Sequence, residues 1–176
     1  KLLAGVPPLK FVKDTRDVLL LAFSTSSSAA VMPLSIRTAE DKLGVRPSIS
    51  QFVIPLGATI NMNGTALYQA VATVFLAQVY GIDLSVGSMA LVVAMAVGAS
   101  IGPPATPGVG IVILAMVLQS VGVPAAGIAL IMGVDRILDM CRTAINVTGD
   151  LVACQLMENW SGKRLEDPPE TAQGNA

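Results

Sequence analysis

Charged residues are almost absent from the middle of this chain and reappear together near its end. Between Arg46 and Asp135 lie 88 residues that carry a single charge, Asp83. The sixteen residues that start at Asp135 contain five charges: Asp135, Arg136, Asp139, Arg142 and Asp150. A charge at the centre of an isolated membrane-spanning helix costs roughly 2.5–3.5 kcal/mol, so such charges persist where they pair or border a polar cavity. The pattern predicts a polar pathway within membrane-length apolar sequence.

The polar residues near the end of the chain recur at helical spacing. Steps of four, three, four and four residues separate them, and at about 100° per residue they fall within an arc of roughly 80°. We call this set the polar stripe: Asp135, Asp139, Arg142, Asn146 and Asp150. Its acids and amide exceed its single arginine, which favours a cation-binding role. The alternative is a ladder of neutralised ion pairs that only joins helices.

The apolar sequence divides into four blocks. Residues 11–37 and 85–122 each contain two short apolar arms around a break, whereas 48–80 and 125–158 each suit one long helix. An arm of about 10–13 residues is too short to span a bilayer, which takes roughly 20. We therefore expect an all-α membrane protein with two re-entrant helical hairpins and two transmembrane helices, the first broken at 57–65. Paired, interrupted segments in two repeats point to the central site of a transporter.

Basic residues give this topology an orientation. If only 48–80 and 125–158 cross the membrane, nine of the eleven lysines and arginines lie on one side, which is then cytoplasmic. The expected location is the cell (inner) membrane, with a multi-pass domain over 1–158 and a polar, cytoplasmic C-terminal tail over 159–176.

Composition supports a membrane class and excludes others. The chain is 53% hydrophobic and only 13% charged, against about 25% charged residues in soluble domains. Its net charge of −1 gives no indication of nucleic-acid binding. Because the sequence opens at Lys1, we expect the C-terminal half of a longer protein, with a complete four-span bundle as the alternative.

Three motifs, in order, resemble the sodium-coupled glutamate/aspartate transporters, also called dicarboxylate/amino acid:cation symporters. They are Thr25-Ser26-Ser27-Ser28, the stretch from Pro55 to Thr65, and the polar stripe. The resemblance covers roughly residues 15–158 and implies an inverted-repeat transport domain. It also implies that a scaffold in an absent N-terminal half assembles the protein as a homotrimer.

The resemblance further implies a site for an acidic amino acid. Arg142 would hold the side-chain carboxylate through two parallel hydrogen bonds, and Asp139 would receive the amino group. A purely structural Arg142–Asp139 pair is the alternative, because a three-residue helical step lets them touch. The second hairpin tip would act as a gate. The substrate-binding residues expected on this basis are Ser26, Ser28, Thr65, Thr106, Gly110, Asp139, Arg142, Thr143 and Asn146.

Sodium is the coupling ion that the resemblance implies, and no other cofactor is expected. One sodium site would comprise Gly57, Asn61, Asn146 and Asp150, and a second would comprise Thr59, Ser100 and Ile101. A third differs from the family pattern, since Asn-Met-Asn-Gly-Thr replaces the usual Asn-Met-Asp-Gly-Thr at Asn63. We expect this third site to be weak or empty. A simple helix kink is the alternative for the Gly-rich break.

These expectations lead to a sodium-coupled symporter of aspartate or glutamate that works by elevator-type alternating access. Its partners would be an acidic amino acid or dicarboxylate, sodium and membrane lipid. A proton-coupled carrier of glutamate or C4-dicarboxylates is the alternative. An intramembrane hydrolase using Ser26–Ser28 and an aspartate is a third hypothesis, but the chain has no histidine to act as the base. We therefore do not expect an enzyme.

Overall fold

The computed structural model describes residues 6–101 and 108–161, and within these ranges every regular element is helical. Thr106, most of the second hairpin tip and the tail from residue 162 lie outside the described residues. The all-α prediction is confirmed for the described part. Its helices are α1 (Pro8–Thr25), α2 (Ser28–Asp41), α3 (Pro47–Ile60), α4 (Asn63–Val79), α5 (Val86–Ala99), α6 (Val109–Ser120) and α7 (Ile128–Ser161), with a single 3₁₀ turn at Ala125–Gly127.

The first hairpin turns at two serines between α1 and α2. Ser26 adopts a left-handed conformation, with φ of 52°, and its N–H donates to Ala22 O, which closes α1. The Ser27 hydroxyl then accepts from Ala30 N at 3.3 Å and caps the start of α2. Short polar side chains of this kind are preferred at helix N-caps because they satisfy otherwise unpaired N–H groups.

The break between α3 and α4 is narrower than the stretch 57–65 that we predicted. Only Asn61 and Met62 lie between the two helices. Gly57 remains within helix α3. Its missing side chain makes room for the Asp150 carboxylate. Asn63 is already the first residue of α4. Between the start of α3 and the end of α4, the non-helical backbone is therefore confined to two residues beside the polar stripe.

Helix α7 is the centre of the domain and packs against α1, α3 and α4. One apolar cluster lies between α7 and the first three helices and includes Val18, Val31, Ile54 and Leu151. A second lies between α4, α6 and α7 and includes Leu76, Leu114, Leu118 and Ile131. The polar stripe thus runs through a domain with apolar packing at both ends.

The predicted spanning segments 48–80 and 125–158 correspond to α3 with α4 and to α7. Among the helices of the described residues, none is both long enough and apolar enough to cross a membrane.

An ion pair ties the end of α7 to the start of α3. Arg46 donates to the Glu158 carboxylate through its backbone N–H and through Nε, in each case at 2.9 Å. This contact fixes the two helices relative to each other at the end of the domain that carries the α2–α3 loop.

Candidate functional site

The structure buries the whole polar stripe inside the domain. All five side chains are buried, whereas Ile137 and Ile145 on the remainder of α7 are exposed. The polar stripe therefore faces the protein interior and these apolar side chains face outward, which is the reverse of a soluble helix.

A small cavity lies where the first hairpin turn, the start of α6 and the α3–α4 break meet the middle of α7. Its volume is about 20 Å³, which is room for about one water molecule. Of the nine predicted substrate residues, Thr106 lies outside the described residues and the other eight line this cavity. Its lining is formed by Ser26, Ser28, Met62, Thr65, Val109, Gly110, Asp139, Arg142, Thr143 and Asn146.

Arg142 forms a buried ion pair in the wall of the cavity. Its Nη2 donates to Asp139 Oδ1 at 2.5 Å, and the side chain is almost completely excluded from solvent. Among the described residues, its Nη1 has no hydrogen-bond partner. The expected alternative, an Arg142–Asp139 pair, is therefore formed, while Nη1 lies buried against Gly110 without a hydrogen-bond partner.

Asp139 also contacts the start of α6 across the cavity. Its Oδ2 accepts from Gly108 N at 3.3 Å, and the half-exposed Arg136 Nη1 lies 4.0 Å from the same oxygen. One carboxylate thus joins the arginine of α7 to the second hairpin.

Asn146 caps the first turn of α4. Its Oδ1 accepts from Gly64 N at 2.7 Å and from Thr65 N at 3.3 Å. Its Nδ2 lies 3.3 Å from Thr65 Oγ1, to which it donates. The amide satisfies N–H groups that the start of a helix leaves unpaired, so Asn146 couples the α3–α4 break to α7.

Three of the four residues predicted for the first sodium site come together at Asp150. This carboxyl group is only 2% exposed, and its Oδ1 accepts from Asn61 Nδ2 at 2.9 Å. Gly57 lies so close that a Cβ there would overlap the same carboxylate. Asn146 is one turn away on α7, with its amide committed to α4.

Among the described residues, no hydrogen bond joins the residues predicted for the second sodium site. The Thr59 hydroxyl donates to Leu56 O, and the Ser100 hydroxyl donates to Val97 O, each at 2.8 Å within its own helix. Ile101 is exposed. In the part of the chain that the structure describes, no hydrogen bond links Thr59 to either residue.

Asn63 of the third predicted site lies at the α4–α7 contact. A Cβ at Gly149 would overlap its side-chain amide. Among residues 6–101 and 108–161, no three histidine, cysteine or acidic side chains gather as a metal site.

Two residues of α4 contact this site although the sequence analysis did not single them out. The guanidinium carbon of Arg142 lies 4.2 Å from the centre of the Tyr68 ring. Gln69 donates from Nε2 to Gly110 O at 2.8 Å. The available signal was helical spacing of Thr65, Tyr68, Gln69 and Thr73 in an otherwise apolar block.

A helical domain whose breaks converge on a buried polar cavity is characteristic of secondary transporters. The chain belongs to the sodium:dicarboxylate symporter family, which its residues 1–160 match. That family consists of membrane transporters.

Named relatives cover most of this chain. It is 46% identical over 160 residues to the proton/sodium-glutamate symport protein of Bacillus subtilis (strain 168), covering 91% of this chain and 37% of the relative. It is 44% identical over 168 residues to excitatory amino acid transporter 3 of Mus musculus, covering 96% and 32%. It is 47% identical over 164 residues to a putative sodium-dependent excitatory amino acid transporter, glt-4, of Caenorhabditis elegans, covering 93% and 33%. The chain therefore spans about a third of the length of these relatives.

Proposed function

We propose that the full-length protein containing this chain is a sodium-coupled symporter of acidic amino acids, aspartate or glutamate. Family membership and the names of the relatives support this proposal. The observation that carries it is the buried Arg142, which has one unpartnered nitrogen and lies beside Asp139 in a polar cavity.

The charges of the cavity complement those of an acidic amino acid. Such a substrate carries two carboxylates and one ammonium group. Arg142 would bind the side-chain carboxylate and Asp139 the ammonium, so the internal ion pair is replaced by two pairs with the substrate. The α-carboxylate would lie against Ser26 and Ser28; the Ser26 hydroxyl is buried and without a hydrogen-bond partner among the described residues. Thr65, Thr106, Gly110, Thr143 and Asn146 would complete the site.

Substrate entry requires the cavity to open. A space for about one water molecule is too small for an amino acid. We propose that the first turn of α6 moves, because its Gly108 and Gly110 are held to Asp139 and Gln69 by single hydrogen bonds. The second hairpin would act as a gate in this way.

Sodium would bind where the Asp150 carboxylate meets the α3–α4 break. A cation there replaces the hydrogen bond from Asn61 Nδ2, and Asn61 turns its amide oxygen toward the ion. Backbone carbonyl oxygens of the break would complete the coordination, together with Gly57 O, which accepts from Asn61 N at 2.8 Å in this structure. We assign Thr59, Ser100 and Ile101 to a second site that forms only when α6 moves, and Asn63 to a weak third site.

The proposal extends to the arrangement of the whole protein. The domain formed by 1–158 would be embedded in the cell membrane through two re-entrant hairpins, a broken helix and α7, with the tail cytoplasmic. It would move as an elevator against a trimeric scaffold supplied by the rest of the protein.

Uptake of radiolabelled aspartate by the full-length protein in proteoliposomes tests this function. We expect accumulation driven by an inward sodium gradient and abolished when potassium or choline replaces sodium outside. Equal uptake with and without sodium would contradict the proposal.

A proton-coupled carrier of glutamate or C4-dicarboxylates is a second candidate, favoured by the name of the Bacillus subtilis relative, which includes both protons and sodium. An inward proton gradient in sodium-free buffer separates the two. Accumulation under that condition alone would establish proton coupling.

A further inference from the structure

The guanidinium group of Arg142 is confined by three neighbours. The Tyr68 ring lies 4.2 Å from the guanidinium carbon, within the range of a cation–π contact. Asp139 accepts from Nη2. Gly110 is so close that a Cβ there would overlap the guanidinium. The atom nearest to that Cβ position is Nη1, which is buried and has no hydrogen-bond partner among the described residues.

Tyr68 is itself held in place from α7. Its hydroxyl donates to Asp135 Oδ1 at 3.1 Å, and both residues are buried. Asp135 lies seven residues before Arg142, about two turns along the same helix. Asp135 of α7 therefore anchors the hydroxyl of Tyr68, and the face of the Tyr68 ring contacts Arg142 of the same helix.

Neither Tyr68 nor Asp135 lines the cavity. We therefore attribute an effect of the two residues on a ligand to the contact of Tyr68 with Arg142. Arginine binds a carboxylate through two parallel hydrogen bonds only when its planar group has the right orientation. A long, flexible side chain does not hold that orientation by itself.

We infer that Tyr68, anchored by Asp135, is a positioning residue that orients the Arg142 guanidinium and so sets the preference for acidic over neutral substrates. This inference rests on the proposed function. Loss of the ring frees the guanidinium to rotate, which weakens binding of a substrate that uses the ion pair. A neutral substrate of the same size makes no such pair and is affected less.

The test compares aspartate with asparagine, which has the same size without the second charge. Their affinities are measured on the full-length protein in saturating sodium, asparagine by competition with labelled aspartate. The variants are Tyr68→Leu, Tyr68→Phe, Asp135→Asn and the double variant Tyr68→Phe/Asp135→Asn. Tyr80→Phe serves as the matched control, because Tyr80 is an exposed tyrosine just after α4.

We expect Tyr68→Leu to lower the aspartate-to-asparagine affinity ratio by about tenfold. Tyr68→Phe removes the hydrogen bond and Asp135→Asn replaces its charged acceptor by a neutral amide oxygen, so each should lower the ratio by a smaller factor than Tyr68→Leu. The effects of the two changes should not add in the double variant, because both act on the same contact. Tyr80→Phe should leave the ratio unchanged.

A purely structural role would weaken both amino acids equally, so an unchanged ratio in Tyr68→Leu overturns the inference. If Tyr68→Leu does not fold, an unchanged ratio in Tyr68→Phe and Asp135→Asn overturns it. Wild-type protein that shows no sodium-dependent aspartate binding would instead overturn the proposed function, and the inference with it.

Discussion

At the scale of single residues, the site depends on an arginine that already has a partner. The Arg142–Asp139 pair neutralises two buried charges without substrate. A ligand must therefore offer a carboxylate and an ammonium group at once, since either alone would leave one charge unpaired. Removing one partner of a buried pair is costly for the same reason.

Replacing Arg142 by threonine should therefore abolish acidic-substrate binding. We expect aspartate affinity to fall by about 100-fold or more, because the partner of the side-chain carboxylate is lost. Isothermal titration of the full-length protein in sodium measures this. Arg37→Gln, which removes an exposed arginine of α2, is the control. Unchanged aspartate affinity in Arg142→Thr would contradict the assignment of Arg142 as the partner of the side-chain carboxylate.

Asp150→Asn should weaken the sodium dependence of uptake and leave the substrate preference unchanged. The change keeps one oxygen but removes the buried negative charge that a cation needs. We expect the sodium concentration for half-maximal uptake to rise by about tenfold or more, with the order of preferred substrates preserved. Asp83→Asn, at an exposed position, controls for a simple change of net charge. A sodium dependence identical to that of wild type would show that Asp150 is not a ligand.

The polar stripe could be predicted because helical periodicity depends only on spacing within one helix. The contacts of Tyr68 could not, since the residues that it joins are far apart in the chain; its hydroxyl and Asp135 are separated by 67 residues. A tyrosine in an apolar block has no local signal that distinguishes support of an arginine from ordinary packing.

At the scale of elements, the close approach of α4 to α7 is what brings the break to the polar stripe. Gly64 lies against the backbone of Arg142, where a Cβ would overlap backbone atoms that cannot move aside. The sequence located this break only within 57–65. The break lies at Asn61 and Met62, because Gly57 and Gly64 are both helical and pack closely against α7. The sequence of this segment does not show that contact.

Gly64→Ala should therefore destabilise the domain. We expect a loss of about 1–3 kcal/mol from forcing α4 away from α7. The control is Gly133→Ala in α7, where a new Cβ would meet nothing within 4 Å and which should be neutral or stabilising by about 0.5–1 kcal/mol. Thermal unfolding of both full-length variants in detergent provides the comparison. Equal shifts in the unfolding temperature of Gly64→Ala and Gly133→Ala would argue against a close α4–α7 contact.

At the scale of the whole molecule, α7 connects the cavity to the residues that we propose bind sodium. Asp139 and Arg142 line the cavity, Asp150 lies two turns further along, and Asn146 between them caps α4. In the proposed mechanism, an ion that draws Asn61 toward it changes the α3–α4 break, and Thr65 of the cavity follows that break in the first turn of α4. Binding of ion and substrate can therefore be coupled through one short stretch of backbone. Composition and charge pattern predicted the class of protein, but this linkage required the three-dimensional contacts.

The number of coupled ions should depend on Asn63. The family resemblance implies an acid here as part of a further sodium site, and asparagine supplies a neutral oxygen in its place. At an effective dielectric near 20, a unit charge ~4 Å from an ion is worth about 4 kcal/mol, part of which is lost to burial of the carboxylate. Even a net change of about 1.4 kcal/mol alters affinity tenfold. Asn63→Asp should therefore strengthen this site.

We expect the Asn63→Asp protein to move more sodium ions with each substrate than the wild type. The structure makes the change sterically modest, because aspartate has the same shape as asparagine and keeps its place beside Gly149. Reversal potentials of aspartate flux in proteoliposomes, measured at several sodium gradients, give the stoichiometry of each protein. Asn63→Ala, which removes both oxygen and charge, is the control and should couple no more ions than wild type. If the wild type and Asn63→Asp couple the same number, an acid elsewhere in the full-length protein already supplies the charge, and Asn63 does not set the stoichiometry.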